Sequence, residues 1–355
     1  MNRHTPREKE EPMSRNSLVR RTLTALAALT VAGLALTACA TGDAVGNKPK
    51  DGDLLASVDT NFGTVNIPKP KDGKELRVVA LGWSDGEVAL SLGVKPIAIY
   101  DWQSFGEKNK GVGPWATEEF GKDTPVLIPR GDAALNYEQI QSLNPDVILN
   151  VRAALDEKVW ERLNEIAPTV SAAKGTPDYA VKWTDHTRLI AKVLGKEKEG
   201  EALVKRLEDK ISGIRAEHPE FQGKTFTSGS KFGDAYGASL PGDARFDLYG
   251  DLGFVLNPKI EALPAMGFYA PVSVEQVPAM DADTAVLTTI GYPLQAIKDD
   301  ALIQALPMVQ AGRAIFADPE GIVMAGSSAG TVRALELTLD EVVPQLADSV
   351  AKLGK

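Results

Sequence analysis

The chain has 355 residues, 43% of them apolar and 25% charged, an ordinary globular composition with enough length for two domains. One cysteine and three histidines exclude a disulfide framework and leave little material for a zinc site. Taking away positions 1–38, with six basic and three acidic residues, reduces 39 Lys/Arg and 48 Asp/Glu to 33 and 45, a formal −12, which argues against nucleic acid and favours partners with basic surfaces.

The first element in chain order is a leader. Arg15, Arg20 and Arg21 precede an uncharged run, Thr22 to Thr37, that closes in "LTAC", Leu36 to Cys39. An apolar run too short to span a bilayer comfortably, with small residues around the only cysteine, marks a lipoprotein signal peptide over 1–38 and predicts lipidation of Cys39. Positions 1–12 are polar and partly acidic, whereas a start at Met13 gives the ordinary basic opening "MSRNSLVRR". Residues 39–74, rich in Gly, Asp, Lys and Pro, read as a flexible tether that lets a folded body stand off a membrane.

From Glu75 apolar strands alternate with helical stretches: "RVVALGW", a helix stopped by Leu92-Gly93, "PIAIYDW", "TPVLI", "DVILN" and "PTVSA". This is the rhythm of a parallel α/β sheet, and it gives an N-terminal lobe over 75–196. The charged stretch 197–220 places Leu203, Leu207, Ile211 and Ile214 on one stripe, which predicts a long amphipathic helix and a stiff connector. A C-terminal lobe over 221–355 repeats the rhythm with "GKTFTSGS", a second stop at Leu252-Gly253, "FVLNP", "TAVLTTI" and "AIFADP". "GSSAG" at Gly326 reads as the cap of a final helix, since no strand precedes it to strain a nucleophilic serine.

One sentence is written twice. "NYEQIQSLNPDVIL" (Asn136 to Leu149) and "SVEQVPAMDADTAVL" (Ser273 to Leu287) each set a capping residue two before a glutamate, Glu138 or Glu275, and an aspartate eight beyond it, Asp146 or Asp283. A glutamate in a first helical turn is good helix grammar. A second reading is that each lobe presents one carboxylate on the same relative surface, ready for two symmetry-related arginines of a dimeric partner.

Ligands of parallel α/β sheets sit beyond the carboxyl ends of strands. The residues that follow the expected strands are aromatic and basic: Trp83, Tyr100 to Trp102, Asn150 to Arg152, Ser228 to Lys231 with Tyr236 beyond, Thr288 to Tyr292, and Asp318. Trp83, Trp102 and Trp115 gather in the loops of one lobe, where each could pack as core or wall a site for a large flat ligand. No glycine-rich phosphate loop, nucleophile elbow or metal-binding histidine pair stands in the sequence, so no catalytic or metal-ligating residue is assigned; His186 reads as a surface or packed histidine.

"RVVALGWSDGEVALSLGVKPIAIYDW", "NYEQIQSLNPDVIL", "LNEIAPTV" and "FYAPVSVEQV" are the landmarks of a resemblance that runs from about Glu75 to Leu346. The chain resembles the periplasmic-binding-type lipoproteins of ABC transporters for ferric siderophores and cobalamin, most of all those carrying "GVGPW", here Gly111 to Trp115. The resemblance implies two parallel-sheet α/β lobes joined by a single long rigid backbone helix, and a non-enzymatic, monomeric solute-binding protein lipid-anchored on the extracytoplasmic face. It implies that Glu138 and Glu275 dock on arginines of the permease dimer. It also implies that an iron(III)-siderophore chelate lies between the lobes, its metal held by the chelate. Trp83, Trp102, Trp115, Arg152, Tyr236, Arg245, Tyr269 and Tyr292 are the expected ligand neighbours, although Arg245 reads equally as a plain helix charge. The same scaffold loaded with haem or cobalamin is the alternative, which Tyr236, Tyr269 and Tyr292 keep open. A surface esterase acting on siderophores lacks the nucleophile and base it would need.

Overall fold

The computed structural model describes residues 53–70, 73–129 and 135–354. Cys39 and the leader lie outside them.

The described chain opens with a β-hairpin, β1 (Leu54–Thr60) and β2 (Gly63–Pro68). Ala56, Val58, Val65 and Ile67 alternate with exposed residues and enter the core of the first lobe. The hairpin tip is tied to that lobe, as Asn61 donates to the Thr176 carbonyl and accepts from the Gly175 N–H. Residues 54–68 are therefore part of the folded body and not of a tether. The period-two alternation of "ASVDT" and "TVNI" was the signal, masked by the glycines, lysines and prolines around it.

Lobe one contains β3 (Val78–Ala80), α1 (Asp85–Ser91), β4 (Ala98–Asp101), β5 (Val126–Pro129), α2 (Tyr137–Ser142), β6 (Val147–Leu149), α3 (Glu157–Asn164), β7 (Thr169–Val170) and α4 (Trp183–Val193). Its five strands are parallel in the order β5-β4-β3-β6-β7. Both faces are covered: Val78, Ala80, Val147 and Leu149 point into one core while Val79 and Ile148 point into the other. Each of these Val, Leu and Ile side chains contributes about 1.5–3 kcal/mol on burial, which explains why three-residue strands suffice.

The connector α5 (Glu197–Glu217) spans 21 residues, about 31 Å. It packs tightly on α4 because Gly200 has no side chain: a Cβ there would come within 2.4 Å of the Ala191 Cβ. Across from it runs the final helix, joined by the Arg206–Glu336 and Lys210–Asp340 ion pairs.

Lobe two follows with β8 (Thr225–Phe232), β9 (Ala235–Ser239), α6 (Ala244–Asp251), β10 (Val255–Leu256), the single turn α7 (Pro258–Glu261), β11 (Tyr269–Val272) and β12 (Thr284–Thr289). Three more single turns, α8 (Gln295–Lys298), α9 (Ala301–Gln304) and α10 (Pro307–Gln310), lead to β13 (Ala314–Phe316), α11 (Ile322–Ala329) and α12 (Val332–Val350). The strands β10, β8, β12 and β13 run parallel, and the sheet is extended by β9 and β11, which pair antiparallel. The sequence did not announce that extension, because β9 and β11 read "AYGAS" and "YAPV", short and interrupted by glycine or proline.

Two further expectations are corrected. "GSSAG" is the C-terminal end of α11 and not the cap of α12; its final glycine, Gly330, takes φ 62°, the left-handed conformation that ends a helix, and Thr331 then begins the next. Glu275 stands on a 3₁₀ turn, Val274–Met280, because Pro278 lacks the N–H an α-helix would use; its start is a capping box between Ser273 and Gln276.

Candidate ligand-binding cleft

In each sheet the strand order reverses at one place, between β3 and β6 in lobe one and between β8 and β12 in lobe two. Beyond the carboxyl ends of strands at such a reversal the flanking loops diverge and leave a crevice. The residues from these four loops line a single cavity of about 1040 Å³: Trp83 after β3, Arg152 after β6, Phe232 at the end of β8, and Ile290 to Leu294 after β12.

Asp85 sets the lobe-one wall. Fully buried at the start of α1, it accepts hydrogen bonds from the backbone N–H groups of Val151 (2.8 Å) and Arg152 (3.3 Å), and His186 Nε2 lies 2.7 Å from it. One carboxylate thus joins the loop after β3 to the loop after β6, and the Trp83 N–H closes the same joint on the Arg152 carbonyl at 2.8 Å. His186 is a packed histidine at 1% exposure and does not line the cavity.

An aromatic chain covers this wall. Trp83 stacks on Trp102 at 5.4 Å between ring centroids and meets Tyr179 at a tilt of 35° and 4.3 Å, and Tyr179 meets Phe268 of lobe two edge-on at 6.2 Å. Ser84 and Tyr179 both hold positive φ, 58° and 57°, a conformation that costs non-glycine residues on the order of 1 kcal/mol and persists where surrounding contacts fix it. In Ser84 the contact is its Oγ, 2.6 Å from the Ala329 carbonyl of lobe two.

Arg152 crosses the floor. Its Nη1 donates to the carbonyls of Ser328 and Ala329 at 2.8 Å each, serving the last turn of α11, and its Nε reaches the Tyr179 carbonyl at 3.4 Å. Burial pulls this guanidinium below its ordinary pKa, partly offset by Asp243. Arg245 sits on α6 and holds Asp243 in a fork, Nε to Oδ1 at 2.9 Å and Nη2 to Oδ2 at 2.5 Å. Burial opposes its charge, but the Asp243 carboxylate outweighs that and keeps it above its ordinary value. Nearby Asp247 is pushed up to about 6 by burial, despite a hydrogen bond from the Gly242 N–H.

Six of the eight expected ligand neighbours line the cavity: Trp83, Trp102, Arg152, Arg245, Tyr269 and Tyr292. Trp115 stands behind the wall, edge-on to Phe105, with its indole N–H on Glu87 Oε2 at 2.6 Å. Tyr236 is buried on the far side of β9, its hydroxyl on Asp300 at 2.6 Å beside Lys231. Tyr179, Phe232 and Phe268 line the cavity without having been singled out. Tyr179 follows the loop "KGTP" between a strand and a helix, where an isolated aromatic was the one visible signal. Glu87, fully buried where the lobes meet, also accepts from the Gly113 N–H and from the Thr331 hydroxyl of lobe two; burial pushes its carboxyl up to about 7 against those bonds.

The repeated sentence has a matched structural result. Asp146 accepts from the Arg77 N–H beside β3, and Asp283 accepts from the Thr225 N–H at the start of β8, so each repeat anchors the central strand of its own sheet. Glu138 and Glu275 are both exposed. Among the described residues no group of three or more His, Cys, Asp or Glu is placed to hold a metal ion, and no helix is long and apolar enough to cross a membrane.

Two α/β lobes on one long helix, with an aromatic cleft at facing sheet reversals, define a solute-binding protein of the class III periplasmic type. The chain belongs to the periplasmic binding protein family, whose model matches residues 78–320, and is a binding protein rather than an enzyme. It is similar to YfiY of Bacillus subtilis (strain 168), a probable siderophore-binding lipoprotein, with 26% identity over 336 residues covering 88% of this chain and 94% of that one. A periplasmic solute-binding protein of Mycobacterium smegmatis superposes with a TM-score of 0.72 at 26% identity, over 84% of this chain and 100% of that one. Staphylococcus aureus SirA, crystallised with staphyloferrin B, superposes with a TM-score of 0.64 at 25% identity, over 82% and 98%. The chain is accordingly a solute-binding protein of the ABC-transporter type.

Proposed function

We propose that this chain captures a ferric siderophore in the cleft between its lobes and delivers it to an ABC permease, docking through Glu138 and Glu275 while a lipid on Cys39 holds it at the extracytoplasmic face of the membrane. The observation that carries the reading is the cavity itself, about 1040 Å³ in volume and walled by Trp83, Trp102, Tyr179, Phe268, Tyr269 and Tyr292. That volume and apolar lining suit a bulky chelate, whose ligand shell buries against aromatic faces while a few polar groups orient it. Iron is cargo in this reading, held by the chelate's own oxygens. The siderophore-binding relative and the staphyloferrin B complex support the same ligand chemistry. Haem remains the alternative cargo, since Tyr269 and Tyr292 line the cavity although no histidine stands among the described lining residues.

Tryptophan fluorescence of the full chain, titrated with ferric hydroxamates, ferric catecholates, ferric citrate, haemin and cobalamin, tests the proposal. Saturable quenching by a ferric siderophore, corrected for ligand absorbance, is the expected result. A response to haemin or cobalamin alone would replace it with the alternative cargo.

A further inference from the structure

Five charged side chains stand among the described lining residues, the guanidiniums of Arg152 and Arg245 and the carboxylates of Asp243, Asp318 and Glu320. The two cations are already engaged. Arg245 is forked onto Asp243, itself buried as the N-cap of α6, and Arg152 serves two backbone carbonyls of α11. The two remaining carboxylates, exposed on the loop between β13 and α11, form no ion pair among the described residues; Asp318 accepts only from the Glu320 N–H, at 3.0 Å. Two guanidiniums against three carboxylates give the lining a formal net charge of −1, with the negative excess at the rim and Arg152 held at the floor by carbonyls of the protein itself.

Its unpaired polar atoms are neutral. Trp102 Nε1 and Gln103 Oε1 are buried side-chain atoms without a hydrogen-bond partner, and both residues line the cavity. A buried indole N–H left unpaired is costly, and a small rotation of these side chains toward the cavity would let a ligand carbonyl satisfy the indole and a ligand amide N–H satisfy the Gln103 carbonyl, without any charge.

On the reading of the cleft as a ferric-chelate site, which this inference deepens, we propose that its cargo is an uncharged or cationic ferric chelate of the tris-hydroxamate kind with amide linkages, and that Asp318 and Glu320 are specificity residues that disfavour polyanionic chelates. A trianionic tris-catecholate entering here meets two carboxylates without ion-pair partners at the rim and finds both guanidiniums already hydrogen-bonded within the protein, whereas a pendant ammonium is attracted by the same pair.

The test is calorimetric titration of the full chain with four ferric chelates: ferrioxamine B, which is cationic, ferrichrome, which is neutral, a trianionic tris-catecholate, and ferric citrate. The hydroxamates should bind most tightly, with the tris-catecholate weaker by about tenfold or more. The double variant Asp318→Asn with Glu320→Gln keeps the loop's hydrogen-bond acceptor and removes only charge. It should weaken ferrioxamine B by about tenfold, leave ferrichrome within about twofold, and narrow the gap to the tris-catecholate. Tris-catecholate or citrate binding as tightly as the hydroxamates, or a cationic-to-neutral ratio unchanged in the variant, overturns the charge-selection inference and leaves the ferric-chelate reading standing. Failure of all four to bind overturns both.

Discussion

In lobe one the central strand β3 gives way at once to a loop and α1, so that indole and guanidinium groups on short connections form the wall. In lobe two the equivalent strand β8 turns back through Gly233-Asp234 into β9, and the wall there includes Gly237, Ala238 and Ser239 of that strand, with Asp318 and Glu320 at the rim. The frame around these walls is the same. Both central strands are anchored by the aspartate of the repeated segment, and both helices after them stop at Leu-Gly, with Gly93 and Gly253 at positive φ. A pseudo-symmetric frame can thus present one matched outer surface to a symmetric partner and two unlike inner surfaces to an asymmetric ligand.

The outer match is broken most directly by Glu138→Ala combined with Glu275→Ala. Uptake of the ferric ligand by cells should fall by about 100-fold, since truncating one partner of a hydrogen-bonded charge pair costs about 2–5 kcal/mol, while affinity in calorimetry stays the same. Normal transport by the double variant would remove the docking role. The two single variants sharpen the comparison: equal losses mean that the permease reads the lobes alike, although one glutamate stands on an α-helix and the other on a 3₁₀ turn.

The inner difference meets at the floor. Arg152→Met keeps the apolar stem and removes the donors, leaving the Ser328 and Ala329 carbonyls of the other lobe unserved. Urea unfolding should then show a loss of about 2–4 kcal/mol at an unchanged m-value. A change below about 0.5 kcal/mol would mean that water replaces the guanidinium and that the latch between lobes is dispensable.

Glu87 makes the same junction sensitive to pH. The fold binds its proton more tightly than the unfolded chain does, so the stability tied to it is in place below about pH 4.5 and is lost as pH rises through about 7. The full difference is bounded at about 3 kcal/mol. Glu87→Gln stays neutral throughout, so the stability of the native chain minus that of the variant should decline between pH 5 and 8. Parallel curves would show that the carboxyl is ionised across that range.

The frame was legible in the sequence because it is written in period and punctuation. Alternating apolar strands, the Leu-Gly stops and the stripe of Leu203, Leu207 and Ile211 translate directly into sheet, helix end and connector. The hairpin at 54–68 was lost because flexible-looking composition outweighed a short alternation, and β9 and β11 because their pairing is tertiary. In the cleft, Trp83, Trp102 and Arg152 were legible from their places after strands. Tyr179 was not, since it owes its position to a left-handed backbone and to contact with Phe268 across the cleft. The engagement of Arg245 with Asp243, two residues away, lay in plain view as sequence, yet only rotamers decide whether such neighbours turn toward each other or toward a ligand.

Trp115 and Trp83 separate wall from support at the finest scale. Both belong to one aromatic chain, but Trp83 faces the cavity and Trp115 reaches away from it to Glu87. Trp115→Phe retains a ring against Phe105 and deletes a single N–H from a buried carboxyl, so stability should fall by about 1–2 kcal/mol and ligand affinity by less than about twofold. Trp83→Ala should invert that ratio by removing a stacking face, with affinity falling by about tenfold. Because Glu87 loses a donor that favours its charged form, Trp115→Phe should also steepen the decline of stability above pH 5, which a merely looser core would not do. A fall in ligand affinity in Trp115→Phe as large as that in Trp83→Ala would place the ligand deeper than the cavity described here, against the far end of the aromatic chain.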